Sequence, residues 1–69
     1  MVIKRLLTTR QTAEFLNTTT GELANLRHHG RGPTYIKISR KILYDMEDLE
    51  LWLERHKVET IDSLEESRR

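Results

Sequence analysis

At residues 7–26 the chain reads LTTRQTAEFLNTTTGELANL. Twice within it a threonine is followed three residues later by a glutamine or a glutamate, at Thr8 with Gln11 and at Thr19 with Glu22. This spacing is typical of a capping box, in which the side chains accept hydrogen bonds from the first amides of a helix. Asn17, between the boxes, suits the left-handed conformation that ends a helix. We therefore expect two short helices, at residues 9–16 and 20–28, joined by a tight polar turn.

The apolar residues of these helices are spaced to pack the helices against each other. Ala13 and Leu16 lie one turn apart on the first helix, and Leu23 and Leu26 share a face of the second. Leu7, just before the first cap, is expected to act as a hydrophobic staple. The opposite face of the second helix carries small or hydrogen-bonding residues, namely Gly21, Ala24, Asn25 and His28. This is the pattern of a helix-turn-helix with one face free for a ligand, although an ordinary surface face is the alternative.

Length and composition restrict the class of protein. A chain of 69 residues predicts one domain with a small core. The absence of cysteine excludes disulfides, cysteine zinc sites and thiol catalysis, and it fits a reducing compartment. No apolar run approaches the roughly 18 residues of a membrane span, and residues 1–4 do not resemble a signal peptide. A cytoplasmic protein without membrane association is expected.

Charge is distributed unevenly along the chain. Up to Lys41, eight basic residues stand against two acidic ones, a net charge of +6. From Ile42 onward, four basic residues stand against nine acidic ones, a net charge of −5. This asymmetry favours one surface for a polyanion and another that faces away from it, although a merely solvated surface would give the same counts.

The segment after the second helix reads as a β-hairpin. Two glycines and the only proline fall within residues 29–33, where the helix must end. Residues 35–38 and 42–44 are then rich in β-branched and aromatic side chains, on either side of the polar tip Ser39-Arg40-Lys41. We expect Ile36 and Ile38 to point inward, and Tyr35 and Lys37 outward. Because an isolated two-stranded hairpin is marginally stable, it must pack on the helices.

A third helix is predicted to begin at Asp45. Leu49, Trp52 and Leu53 form its apolar stripe, and Trp52, the largest apolar side chain, is expected at the centre of the core. Glu47, Glu50 and Glu54 should face solvent. Residues 1–57 then make up the domain, and residues 58–69 a polar tail. The tail is either disordered or, through Val58, Ile61 and Leu64, a short partner-binding helix.

The predicted order of elements defines a mainly α fold with a small β-hairpin wing, a winged helix-turn-helix. From Leu6 to His56 the chain resembles the excisionase-like, MerR-like winged helix-turn-helix proteins of bacteria, phages and mobile elements. The resemblance is carried by the segments LTT at 7–9, TTGEL at 19–23, GRGP at 30–33, YIKISRK at 35–41 and, most specifically, DLxxWL at 48–53. It implies sequence-specific binding to double-stranded DNA, either as a recombination accessory factor or as a small transcriptional regulator.

Candidate DNA contacts can be assigned by chemistry. Thr19 and Thr20, at the amino end of the second helix, suit a phosphate. Asn25 suits adenine, and Arg27 a phosphate or guanine. The full candidate set is Thr19, Thr20, Gly21, Ala24, Asn25, Arg27, His28, Arg31, Lys37, Arg40 and Lys41. If four to six of these bind phosphates, log K should fall with log salt at a slope of about −4 to −5.

Catalysis is not expected. His28 and His29 are adjacent, so their side chains diverge on a helix and do not readily share a metal ion. No cofactor, metal or small-molecule ligand is predicted. The expected partners are double-stranded DNA together with an integrase or recombinase, or a second copy in a dimer or cooperative array. The alternative is an interaction module that docks on a recombinase, terminase or polymerase, with weak or vestigial DNA binding.

Overall fold

The computed structural model describes residues 5–59. Within them the chain forms three helices and a three-stranded antiparallel sheet. In chain order the elements are β1 (Leu6–Thr8), α1 (Thr9–Phe15), α2 (Thr20–His28), β2 (Ile36–Ile38), β3 (Lys41–Asp45) and α3 (Met46–Arg55). The architecture confirms the predicted fold class, mostly helical with a β wing and consistent with a winged helix-turn-helix. No helix in this part of the chain is long and apolar enough to span a membrane.

Both helices of the helix-turn-helix begin at the predicted threonines. Thr8 Oγ1 accepts from the Gln11 amide at 3.1 Å, and Gln11 Oε1 accepts from the Thr8 amide at 2.9 Å, which completes the first capping box. Thr19 Oγ1 accepts from the Glu22 amide at 3.1 Å. These bonds satisfy amides that have no partner within a helix, and they fix where α1 and α2 begin.

The same two helices end in one motif. Asn17 and Gly30 each follow a helix in the left-handed conformation, with φ of 58° and 66°. The residues after them, Thr18 and Arg31, donate their amides to the carbonyls of Ala13 and Leu26 at 2.8 and 2.9 Å. This is the Schellman arrangement, which satisfies the last carbonyls of a helix and turns the chain sharply. The prediction of a left-handed Asn17 is confirmed.

The sheet contains one strand more than the predicted wing. Its order is β1-β3-β2, so β3 is central and the β2–β3 hairpin forms the wing. Leu7 pairs with Tyr44, and Ile36 pairs with Leu43. The sequence of residues 6–8 does not predict a strand, because three residues are too few to show an alternating pattern. The additional strand pairs with β3 and gives the sheet a third strand, which an isolated two-stranded hairpin lacks.

The core lies between the central strand and the helices. Tyr44 and Leu49 are fully buried together with Leu7, and Leu16, Ile42 and Met46 pack against them. The expectation that Trp52 forms the centre of the core is wrong, because Trp52 is only half-buried. Its indole N–H donates to the Arg31 carbonyl at 3.2 Å, a bond that keeps the ring at the edge. Tyr44 takes the central place instead.

One further local expectation differs from the structure. Ile38 was expected to point inward, yet it is 56% exposed, because it is the last residue of β2 beside the turn and pairs only with Lys41. Asp45 occupies the N-cap position of α3 but makes no side-chain cap bond. Its buried carboxylate instead accepts from the Arg5 amide at 3.2 Å, so it links the chain before β1 to the end of β3.

Candidate nucleic-acid interface

The free face of α2 is the centre of the candidate site. Leu23 is 1% exposed, whereas Gly21, Asn25 and His28 on the opposite side of the helix are exposed. A Cβ added to Gly21 would meet no atom closer than 3.9 Å, so the absence of a side chain there serves no packing need. The face therefore has few large protruding side chains, and it carries one amide side chain, that of Asn25, which can form hydrogen bonds with a base edge.

The amino end of α2 adjoins this face. Thr19 and Thr20 are both exposed. Thr19 accepts a hydrogen bond from Glu22 through its oxygen, which leaves its hydroxyl hydrogen available to donate. Free amides, a hydroxyl donor and the positive end of the helix dipole are the features that bind a phosphate oxygen. Glu22, in the first turn, opposes an anion at this end.

Four exposed cations in the loop after α2 and along the wing have no carboxylate partner among residues 5–59, a property that the exposed Arg5 and Arg55, elsewhere in the chain, share. Arg31, Lys37, Arg40 and Lys41 are exposed, and none forms an ion pair with a carboxylate in the described residues. Two other exposed cations do, since Arg10 pairs with Glu14 at 3.8 Å and Lys57 with Glu54 at 3.0 Å. The charges of the loop and the wing are thus available to an external anion.

The turn of the wing is short. Only Ser39 and Arg40 separate β2 from β3, and Ser39 has a φ of 57°. A positive φ at the first of two loop residues is typical of the tight turns that suit the twist of a hairpin. Arg40 and Lys41 therefore lie at the extreme end of the wing, where a groove or a backbone strand can reach them.

Arg27 differs from the other candidate residues. It is half-buried, and its Nη1 donates to the hydroxyl of Tyr44 at 3.2 Å. Its guanidinium carbon also lies 5.7 Å from the centre of the Tyr35 ring. The structure thus groups ten of the eleven candidates on the free face of α2, its flank, the loop and the wing, and directs Arg27 toward two tyrosines.

Sequence reasoning missed these tyrosines. The sequence pattern places Tyr44 only within the hairpin, and it predicts only that Tyr35 points outward. A signal was present, because Arg27 follows Leu23 by four residues and must share its buried face. Among the described residues, no group of three His, Asp or Glu side chains could hold a metal ion.

The fold, with two capped helices joined by a tight turn and one face of α2 exposed, defines a helix-turn-helix protein. The chain belongs to the helix-turn-helix domain family, whose model matches residues 6–57, most of its length. That family consists of DNA-binding domains and is not a family of enzymes. A comparison with curated proteins finds no match.

Proposed function

We propose that this protein binds double-stranded DNA in a sequence-specific manner. In this role it serves a phage or mobile element as an excisionase-like recombination accessory factor or as a small transcriptional regulator. The observation that carries the proposal is the low, exposed face of α2 together with four exposed cations that have no carboxylate partner among the described residues, Arg31 in the loop after α2 and Lys37, Arg40 and Lys41 on the wing. Helix and wing are the two elements that a winged helix-turn-helix applies to adjacent parts of a duplex.

Affinity and specificity come from different parts of this surface. The four cations bind phosphates or enter the minor groove, and they contribute most of the binding free energy without reading sequence. On α2, Asn25 contacts adenine and His28 assists, while Gly21 and Ala24 allow the helix to approach the base edges. Thr19 and Thr20 anchor a phosphate at the helix end.

A single small domain covers too few base pairs for high specificity. Binding to repeated sites side by side, or as a dimer, is therefore part of the proposal, as is contact with an integrase or recombinase. Val58, at 81% exposure, is the one described residue of the apolar series proposed for such contacts. Ile61 and Leu64 lie outside the described residues.

The test begins with selection of bound duplexes from a random DNA pool, followed by titrations at several salt concentrations. Four phosphate contacts predict a slope of log K against log salt of about −4. The double charge reversal Arg40→Glu with Lys41→Glu should weaken binding to every duplex and reduce the slope by about 2. Thermal unfolding of the variant confirms that it remains folded.

The matched control reverses the two paired cations, Arg10→Glu with Lys57→Glu. It changes the net charge equally, but outside the proposed interface, so it should keep the larger part of the affinity. An equal loss of affinity in both double variants would mean that the change in net charge alone explains the effect. A salt-independent affinity, or binding that survives the wing reversal, would instead favour the interaction module. Measurement of DNA bending tests the accessory-factor role, because a protein that leaves the duplex straight does not shape a recombination site.

A further inference from the structure

Arg27 lies on the packed side of α2. It follows Leu23, which is 1% exposed, by one helical turn, and it is half-buried itself. Of the proposed reading face, Asn25 lies across the helix from Arg27, and Gly21 and His28 are turned from it by about 100 to 120° at roughly 100° per residue, with Ala24 at the edge of the face nearer Arg27. An arginine in this position does not project along the face that meets base edges.

The guanidinium of Arg27 has two protein partners. It donates to Tyr44 Oη at 3.2 Å and lies 5.7 Å from the centre of the Tyr35 ring. The two tyrosine rings are 6.3 Å apart and inclined at 55°. We name these three residues the Arg27 cluster. Since Tyr44 is 1% exposed, loss of Arg27 would leave a buried hydroxyl without its donor, which is unfavourable.

The Arg27 cluster connects two elements that otherwise approach each other little. Within the described residues the backbone of α2 packs against α1, whereas it makes no extensive close approach to β2 or β3. Tyr44 belongs to β3, the central strand, and Tyr35 directly precedes β2. A duplex can meet the reading helix and the wing together only when the angle between them matches the spacing of groove and backbone.

We propose that Arg27 is a positioning residue, which holds the wing at a fixed angle to α2 and does not itself bind phosphate or guanine. A planar guanidinium suits this role because it donates a hydrogen bond in its plane and stacks on an aromatic ring with its face. The inference rests on the proposed DNA binding, and it replaces the assignment of Arg27 as a DNA contact.

The experiment uses Tyr44→Phe, which removes the acceptor hydroxyl and leaves Arg27 intact. Because Tyr44 is buried, this variant cannot lose a direct DNA contact. Arg27→Met removes the donor, and the double variant completes the cycle. Arg10→Met is the matched control, since it removes an exposed arginine and the same charge from α1. Affinity is measured on a labelled duplex from the random-pool selection, or on a mixed-sequence duplex if none is recovered.

Tyr44→Phe and Arg27→Met should each weaken binding by about fivefold or more, and the double variant should be no weaker than Arg27→Met. Arg10→Met should stay within about twofold, as expected of a surface change. Residual dipolar couplings of the free proteins should show a changed orientation of α2 relative to β2 and β3 in both cluster variants. Wild-type affinity in Tyr44→Phe, additive losses, or unchanged couplings would overturn the inference.

The couplings are measured without DNA, so the two proposals can fail separately. If the unaltered protein binds no duplex, the proposed function fails, and the orientation of α2 in the free variants still decides the role of Arg27. If it binds and only Arg27→Met is impaired, DNA binding stands and Arg27 contacts the duplex directly.

Discussion

Helices α1 and α2 begin and end alike but bury different shares of their surface. Each starts at a threonine cap and each ends before a left-handed residue. α1 buries Thr12 and Ala13 and packs against α2, β1 and β3. α2 buries only Leu23 among its nine residues. The end signals therefore define helices without defining their roles. One helix is held by its neighbours on several sides, and the other keeps a face available for a partner.

The largest difference in stability between the two helices should appear when one alanine of each is replaced by leucine. Ala13→Leu inserts three carbon atoms where α1 meets its neighbours, so it should destabilise the fold by about 1–3 kcal/mol. Ala24 belongs to the free face of α2 and is only partly buried. Ala24→Leu should therefore change the free energy of unfolding by at most about 0.5 kcal/mol. It should instead weaken DNA binding, because a leucine holds the helix away from base edges. Denaturant unfolding and duplex titration measure the two effects.

Equal destabilisation by Ala13→Leu and Ala24→Leu would contradict the contrast between the helices. So would a destabilising Ala24→Leu that leaves DNA affinity unchanged.

Replacing either N-cap threonine should lower the free energy of unfolding by a similar amount, but the two replacements should affect DNA binding differently. Thr8→Ala and Thr19→Ala each delete one bond to a helix amide, which is expected to lower stability by about 1 kcal/mol. Only Thr19 lies beside the reading face, so only its replacement should also weaken binding. Both variants are compared by thermal unfolding and then titrated at a temperature where both remain folded. Unchanged affinity in Thr19→Ala would remove this residue from the interface.

The smallest effect should come from exchanging the left-handed residues. Asn17→Gly relieves a positive φ on a residue with a Cβ and should stabilise the fold by about 0.5 kcal/mol, whereas Gly30→Asn should destabilise it by a similar amount. A Cβ at Gly30 would meet nothing within 4 Å, so its backbone angle alone sets the cost. The double exchange should be close to neutral in denaturant unfolding. A large loss there would mean that one site needs its own residue for a contact.

Prediction from sequence succeeded where the determining interactions are local. The bounds of α2, the complete capping box at Thr8 and the conformation of Asn17 all depend on residues at most five apart. The β2–β3 hairpin was also predicted, because a short turn joins neighbouring strands, although Lys41 was expected in the tip and lies in β3. The candidate contacts on α2 and the wing remain a proposal, although the structure does place them on accessible surface.

Tertiary structure alone decided the features that depend on distant residues. The pairing of β1 with β3 joins residues 35 to 39 positions apart, and no pattern in three residues indicates it. Trp52 was predicted in the core from its size, yet its N–H finds the Arg31 carbonyl and keeps it at the edge. Arg27, a candidate DNA contact by its charge, also has two tyrosine partners that only the folded sheet brings near. The sequence by itself determined where α1 and α2 begin and end, because their caps and turns are satisfied within a few residues. Which side chains fill the core and which stay free depended on how the sheet and helices pack, because burial is shared among segments far apart in the chain.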